Sequence, residues 1–169
     1  MTRAKPIDEA TAQSLRDSLR YDPETGEIWW RFAGHGKDLS KPAGTLNDQG
    51  YLTLSFKGRT YRLHRLSYLL MGLPVPDCID HSNGVRSDNR WENLRPATKL
   101  QNNINTSLLC RNTSGFKGVY KQGEGNKWVS QIRFNGQKYH LGVFDSPEEA
   151  HEAYKKAADK YHGEFKNYG

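Results

Sequence analysis

The part of the sequence that most constrains the fold is a polar stretch near the middle of the chain, Ile79-Asp80-His81-Ser82-Asn83-Gly84, which continues from Asp88 to Asn102. It places a carboxylate, an imidazole and several carboxamides within about two dozen residues. The preceding residues, 75–79, predict an extended segment that runs into Asp80-His81. Because neighbouring side chains of a strand face opposite sides, these two can reach one site only where the strand ends or bulges.

A short ββα unit is predicted around this stretch. Leu94 and Arg95 predict a return strand after the Asn-rich loop. Thr98-Lys99-Leu100-Gln101 then fits a capping box, in which the first and last side chains each bond the other's backbone N–H. A helix is therefore expected to begin there, with Asn102 in its first turn or just beyond.

These residue types suit phosphodiester hydrolysis, which needs a general base for water and a cation for the developing charge. His81 can be the base, because the ordinary histidine pKa lies near neutrality. Asp80 would be an anionic metal ligand and Asn102 a neutral oxygen ligand, a set that suits Mg²⁺ or Mn²⁺ better than Zn²⁺. Asn93 can hold the loop through side-chain-to-backbone hydrogen bonds and so orient the imidazole.

Other short motifs lie before, within and after the polar stretch, at specific spacings from Asp80-His81. They are His64-Arg65-Leu66, Asp88-Asn89-Arg90, Glu92-Asn93-Leu94-Arg95, Gln101-Asn102-Asn103 and Asn105, with Tyr21-Asp22-Pro23-Glu24-Thr25-Gly26 and Gly44-Thr45 upstream. With these motifs, residues 60–105 resemble the His-Asn-His (HNH) homing endonucleases of phages and introns, and residues 21–58 are similar to the usual N-terminal part of such proteins. The resemblance implies a ββα-metal core at about 60–106, within a nuclease domain of residues 1–110.

Carried over residue by residue, the resemblance implies that His81 is the general base and Asn93 the structural asparagine, with Asp80 and Asn102 as metal ligands. Many members have His where Asn102 stands, so the chain is similar to the HNN subgroup of phage-intron enzymes. The implied reaction is metal-dependent hydrolysis of double-stranded DNA that leaves a 3′-hydroxyl and a 5′-phosphate. One such site per chain favours nicking by a monomer.

Some residues near the motif allow two interpretations. His64 either touches a phosphate or is a hydrogen-bonded histidine at a strand–helix junction, and the second is favoured. Arg62 and Arg65 lie near Lys57 and Arg59 with no acid among them. They form either a solvated basic face or a phosphate contact.

The N-terminal half otherwise predicts a helix and a meander. Residues 8–20 predict an amphipathic helix with Ile7, Ala10, Leu15 and Leu19 on one face. Strands are predicted at residues 27–32, 44–46, 50–56 and 60–63, with a tight hairpin loop at Lys57-Gly58-Arg59 and a helix from residue 64 to 72.

Beyond a linker at residues 106–115, the sequence predicts strands at 116–121, 127–134 and 137–144 and a helix from Ser146-Pro147-Glu148-Glu149. Asn135-Gly136 supplies a type I′ hairpin. Its strands put polar and cationic residues on one face and apolar residues on the other. The expected pairs are Arg133 with Lys138 and Gln131 with His140 on the polar face, and Ile132 with Tyr139, Ser130 with Leu141 and Trp128 with Val143 on the apolar face, under an Ala-rich helix.

This region also has a recognisable motif set: Gly115-Phe116-Lys117-Gly118-Val119-Tyr120, Lys127-Trp128, Gln131-Ile132-Arg133, His140-Leu141-Gly142-Val143-Phe144-Asp145 and Glu148-Glu149-Ala150. With it, residues 114–169 resemble the plant ethylene-response-factor (Apetala-type) DNA-binding domain. The resemblance implies DNA contacts from the sheet, at Lys117, Gly118, Tyr120, Lys127, Gln131, Arg133, Lys138 and His140. Tyr120, Gln131 and His140 depart from the residue types frequent in the plant proteins, which affects the expected target sequence.

The composition agrees with a DNA partner, since the net charge is +6. The only cysteines, Cys78 and Cys110, have no zinc-site spacing, and no segment predicts a membrane span, so a cytoplasmic protein is expected. The resemblance to homing endonucleases further implies that the protein is phage-encoded. The sequence thus predicts an α+β protein: a ββα-metal nuclease domain followed by a three-stranded antiparallel sheet packed on one helix. The alternative is a catalytically inactive, sequence-specific DNA-binding protein or regulator.

Overall fold

The computed structural model describes residues 6–106 and 112–169 and contains helices and small antiparallel sheets, which confirms the predicted mixture of α and β structure. The chain forms two compact units, residues 1–98 and residues 99–169. The predicted linker at 106–115 lies partly outside the described residues. Within the described ranges, no helix is long and apolar enough to cross a membrane.

The first unit consists of helices and short strands joined by turns. In chain order these are α1 (Glu9–Ser18), β1 (Leu19–Tyr21), β2 (Ile28–Trp30), β3 (Thr45–Leu46), β4 (Leu52–Phe56), β5 (Arg59–Arg62), α2 (Leu63–Leu70), β6 (Ile79–His81), a 3-10 turn (Trp91–Asn93) and β7 (Leu94–Pro96). The strands pair as β1–β2, β3–β4–β5 and β6–β7, all antiparallel.

The predicted N-terminal helix is present but ends earlier than expected. Asp8 caps α1, because its carboxylate accepts a hydrogen bond from the backbone N–H of Thr11 at 2.9 Å. Ala12 and Leu15 form the buried face, so the assignment of Ala10 to that face is wrong: Ala10 is exposed. Leu19 is buried in β1 and not in the helix, since it pairs with Trp30 of β2.

The hairpin between β4 and β5 has a tighter loop than predicted. Arg59 pairs with Phe56, so the loop has two residues, Lys57 and Gly58, and the expected three-residue loop is wrong. Both loop residues have positive φ, 50° and 74°, as a type I′ turn requires. The sheet and both helices enclose one apolar core that includes Leu15, Leu54 and Leu66.

The β6–β7 hairpin carries the polar stretch that constrains the sequence. Its register places Asp80 opposite Arg95 and His81 opposite Leu94. Ile79 and Leu94 form a small buried cluster with Tyr68 of α2. Apolar packing on α2 therefore fixes the strand from which Asp80 and His81 project.

The second unit contains α3 (Lys99–Ile104), β8 (Val119–Lys121), β9 (Trp128–Phe134), β10 (Gln137–Phe144), α4 (Pro147–Tyr161) and a final 3-10 turn (Gly163–Phe165). Its strands form a sheet of order β10–β9–β8. Ile132 of β9 is buried in one cluster with Tyr154, Ala157 and Ala158 of α4. The small Ala side chains let the helix lie close to the sheet. α3 groups with this unit, whereas the sequence places it in the nuclease domain; the domain bounds 1–110 and 114–169 remain predictions.

The β9–β10 hairpin agrees with the predicted register only near its turn. Asn135 and Gly136 both have positive φ, and Arg133 pairs with Lys138 and Gln131 with His140, as expected. A β-bulge after His140 then shifts the register. The predicted pairs Ser130 with Leu141 and Trp128 with Val143 are therefore wrong: Ser130 pairs with Gly142 and Trp128 with Phe144. The extra residue leaves Val143 46% exposed, outside the expected apolar face.

Candidate active site

Asp80 and His81 end β6 and are both buried, at 3% and 5% exposure. As neighbours on a strand they make different contacts. The carboxylate of Asp80 lies against Arg95 of the paired strand, and the imidazole of His81 lies against Asn89 in the loop between the strands. The strand end thus presents an ion pair and a hydrogen-bonded histidine side by side.

Asp80 forms a cross-strand ion pair. Nε of Arg95 donates to Oδ2 of Asp80 at 2.9 Å, and Nη2 lies 2.8 Å from the same oxygen. The Asp80 side chain is 4% exposed and that of Arg95 19%, so the guanidinium supplies a countercharge to a buried carboxylate.

His81 is oriented by Asn89, a residue that received no role from the sequence. Nε2 of His81 lies 3.2 Å from Oδ1 of Asn89. An amide oxygen only accepts hydrogen bonds, so Nε2 carries the hydrogen and the imidazole lone pair is on Nδ1. Burial lowers the pKa of His81 below 6.5, while the contact with Asn89 acts in the opposite direction. The arrangement selects one tautomer of a largely neutral imidazole.

The turn at residues 22–26 holds Asn89 in place. The hydroxyl of Tyr21 donates to the backbone carbonyl of Asn89 at 2.7 Å, and the backbone N–H of Trp91 donates to the carbonyl of Pro23 at 2.9 Å. Gly26 has φ +77°, and a Cβ there would lie 2.4 Å from the backbone nitrogen of Arg90. The upstream motif therefore supports the loop that orients His81.

Asn93 joins the two ends of the loop. Its Oδ1 accepts from the Ser82 hydroxyl at 2.8 Å and from the backbone N–H of Asn83 at 2.9 Å, and its Nδ2 donates to the carbonyl of Asp88 at 2.7 Å. With Asn93 only 4% exposed, these bonds are shielded from water. Two of the three, with the N–H of Asn83 and the carbonyl of Asp88, are side-chain-to-backbone contacts of the kind that the sequence suggests for this residue.

His64 lies at the strand–helix junction that the favoured interpretation expects, and its ring also packs against that of His81. It is buried in the first turn of α2, directly after β5, and its ring centroid lies 5.1 Å from that of His81 in an edge-on contact. Burial, followed by the charge of His81, holds the pKa of His64 well below 6.5. The ring of Tyr51 completes the group, with its centroid 5.3 Å from that of His64 and 6.0 Å from that of His81.

The remaining predicted site residues lie in the second unit. Asn102 is on α3, and its assignment as a metal ligand stays a prediction. Lys117 donates from Nζ to the carbonyls of Ile104 and Thr106, both at 2.7 Å, at the end of that helix. Gly118 lies against α4, because a Cβ there would meet the ring of Tyr154 at 2.2 Å.

The other predicted DNA-contacting residues lie on the sheet or at its edge. Lys127 forms an ion pair with Asp145. The paired residues Arg133 and Lys138 are both exposed, as is His140, while its partner Gln131 is half-buried. Tyr120 lies on β8 and is 44% exposed.

The carboxylate of Asp80 can bind a divalent cation only if other molecules supply most of the ligands of that cation. Asp80 offers the oxygen chemistry that Mg²⁺ prefers, but its Oδ2 already binds Arg95. In residues 6–106 and 112–169, no group of three or more His, Cys, Asp and Glu side chains could hold a metal ion. Mg²⁺ commonly binds through one or two protein ligands together with substrate phosphate and water, and these residues fit that mode.

Comparisons with known proteins agree with the geometry of this site. Residues 61–104 match the family model described as HNH endonuclease, a range that contains Asp80, His81, Asn89 and Asn93. A protein of Acanthamoeba polyphaga mimivirus, described as an uncharacterized HNH endonuclease, is 32% identical over 130 residues. The match covers 75% of this chain and 66% of the relative, so the chain spans just under two-thirds of the relative's length. No solved structure matches the chain. The chain therefore contains an HNH endonuclease domain, which covers residues 61–104.

Proposed function

We propose that the chain is a metal-dependent endonuclease that hydrolyses phosphodiester bonds in double-stranded DNA. The observation that carries this proposal is the contact between His81 and Asn89 inside the HNH domain. It holds a buried imidazole with its lone pair on Nδ1, as a general base for water requires. His81 takes the proton from the attacking water, and Asn89 and Asn93 keep its ring and its loop in place.

Asp80 and Asn102 would hold Mg²⁺ or Mn²⁺, with DNA and water as the other ligands. When bound, the cation stabilises the negative charge that develops on the phosphate. Arg95 holds the Asp80 carboxylate in place at the strand end through the cross-strand ion pair. The HNN assignment, with Asn102 in place of a second His, and products with a 3′-hydroxyl and a 5′-phosphate are parts of this proposal that rest on the family resemblance.

The second unit is proposed to read the target site as an Apetala-type DNA-binding domain. Support comes from its exposed cations: Arg133 and Lys138 lie directly opposite each other on β9 and β10, next to the pair of Gln131 and His140. A β-sheet of this kind can enter the major groove. The full proposed contact set is Lys117, Gly118, Tyr120, Lys127, Gln131, Arg133, Lys138 and His140.

The biological setting is proposed from the resemblance alone. The enzyme would be of the homing type, encoded by a phage, and would act as a monomer in the cytoplasm of the host. With one histidine base per chain, the expected primary product is a single-strand nick.

A plasmid assay tests the proposed reaction. Supercoiled DNA that carries candidate target sites is incubated with the protein in Mg²⁺, in Mn²⁺ and in EDTA, and the ends are tested for extension by a DNA polymerase. We expect nicked circles with extendable 3′-hydroxyl ends in either metal and none in EDTA. Cleavage that is unaffected by EDTA would refute the metal requirement. Tight binding to a cognate site without cleavage in any metal would favour the inactive DNA-binding protein.

A further inference from the structure

Two arginines converge on one aromatic ring beside the histidines. Cζ of Arg62, at the end of β5, lies 4.2 Å from the ring centroid of Tyr51, and Cζ of Arg86, from the loop after β6, lies 5.2 Å from it. Gln49 binds both guanidiniums: its Oε1 accepts from Nη2 of Arg62 at 2.9 Å, and its backbone carbonyl accepts from Nη1 of Arg86 at 2.8 Å. Segments far apart in the chain thus hold two cations in one place.

The two guanidiniums have no anionic partner in the part of the chain that the structure describes. Among residues 6–106 and 112–169, neither Arg62 nor Arg86 forms an ion pair, whereas Arg90 and Arg95 each bind a carboxylate. Two like charges held over one ring repel each other, and an anion placed against them would remove that cost. Both arginines are exposed, so an anion from solution can reach them.

Tyr51 places the two arginines, Arg62 and Arg86, near the proposed general base. Its ring lies 6.0 Å from that of His81 and 5.3 Å from that of His64, centroid to centroid. We propose that Gln49, Tyr51, Arg62 and Arg86 form a binding site for a DNA backbone phosphate that neighbours the one being cut. This inference rests on the proposed function, since it names the residues that hold the substrate of the same site.

The chemistry of the four residues suits a phosphodiester. The guanidinium fork matches two phosphate oxygens at once, and stacking on an aromatic face leaves its N–H edges available for them. Because Gln49 and Tyr51 already hold the two side chains, less conformational entropy is lost when the phosphate binds. The site would position the duplex without reading its sequence.

Salt-dependent DNA binding tests the inference. Affinity for a duplex of arbitrary sequence is measured by fluorescence anisotropy over a range of salt, in a His81→Ala background that prevents cleavage. We expect the pair Arg62→Met and Arg86→Met to reduce the slope of log affinity against log salt by about 1, as loss of one phosphate contact predicts. The matched control is Arg20→Met, which removes an exposed arginine stacked on Trp29 at 5.2 Å and should leave the slope unchanged.

The outcomes separate this site from the nuclease proposal. A double variant that binds with the same slope as the Arg20→Met control would overturn the phosphate site, whatever the plasmid assay shows. A reduced slope together with no cleavage by the wild type would support the site and refute the nuclease. Inorganic phosphate is added as a competitor: full displacement of DNA from the wild type at matched ionic strength would instead indicate a free-anion site and contradict the proposal.

Folding of each variant is checked by circular dichroism and thermal unfolding. If the double variant does not fold, Gln49→Ala is the second test, because it removes only the side-chain contact to Arg62. It is expected to weaken duplex binding, and binding equal to that of the wild type would contradict the inference.

Discussion

Nε2 of His81 lies 3.2 Å from Oδ1 of Asn89, and the hydroxyl of Tyr21 donates to the backbone carbonyl of the same asparagine at 2.7 Å. The imidazole is thereby linked through one residue to a turn some seventy positions upstream, since Tyr21 and Asn89 are 68 residues apart. The orientation of the proposed base therefore depends on the packing of the whole first unit and not only on the motif that contains it.

Asn89 is accordingly a positioning residue. We expect Asn89→Ala to lower the rate constant of DNA cleavage by about 10- to 100-fold, because a misplaced base loses much of its catalytic effect. The half-saturating DNA concentration should not change, since Asn89 is 2% exposed and does not reach the substrate. Asn89→Asp keeps an acceptor oxygen and should retain more activity than Asn89→Ala. Equal rates for both variants and the wild type, in single-turnover assays, would contradict this role.

Asp88 is expected to make the loop sensitive to acid. Hydrogen bonds from Arg90, with a further one from Asn83, hold the pKa of Asp88 at about 2 instead of 3.8. Because the folded-state value is the lower one, ionised Asp88 stabilises the protein above pH 3.8, and this contribution is lost as the pH falls toward about 2.

The variant Asp88→Asn should therefore lower the free energy of unfolding at pH 7, with the difference from the wild type shrinking as the pH falls toward 2. Urea unfolding at several pH values measures this. The control is Asp48→Asn, which changes an exposed carboxylate in a turn and should leave the stability unchanged across the series. If the loss of unfolding free energy in Asp88→Asn does not shrink in acid, the ionised carboxylate of Asp88 is not the source of that stability.

Gly118 tests the packing of the second unit. Its φ is +74°, and a Cβ would lie 2.2 Å from Cδ2 of the buried Tyr154 ring and 2.6 Å from the carbonyl of Gln131. We expect Gly118→Ala to destabilise the protein by about 3 kcal/mol, from the strained backbone and the overpacking together. Gly123→Ala is the matched control, with φ +56° and nothing within 4 Å, and should cost only about 1 kcal/mol. Equal urea-unfolding losses for both would refute the close contact with α4.

Local sequence patterns predicted the parts of the fold that depend on local chemistry. Asn135-Gly136 favours positive φ and forms the predicted two-residue turn, whereas the loop at Lys57-Gly58 was predicted one residue too long. Asp80-His81 was expected at a strand end and lies there. The bulge after His140 was missed, because a register shift depends on how β9 packs beneath α4 and not on alternation in β10.

The sequence suggested roles for residues of the motif itself but not for the residues that contact them. Asp80, His81 and Asn93 were proposed as site residues from residue type, spacing and the family resemblance, and their roles stay predictions, whereas Tyr51 and Asn89 received no role. The contact of Tyr51 with His81 arises only when separate segments pack together, and that of Asn89 depends on how the loop after β6 folds back. One available signal was the Asp88-Asn89-Arg90 motif. Asp88 and Arg90 form an ion pair, and the carboxamide of Asn89 between them is the hydrogen-bond partner of the imidazole.

The most direct test of the account is the cleavage rate of supercoiled plasmid under single-turnover conditions with Mg²⁺, compared between wild type, His81→Ala and His35→Ala. His35 is exposed and lies outside the matched domain, so its variant controls for removal of an imidazole. We predict that His81→Ala nicks DNA at least about 100-fold more slowly than wild type, the loss expected when a general base is removed, while His35→Ala nicks at the wild-type rate. Equal nicking by His81→Ala and wild type would contradict the assignment of His81 as the base.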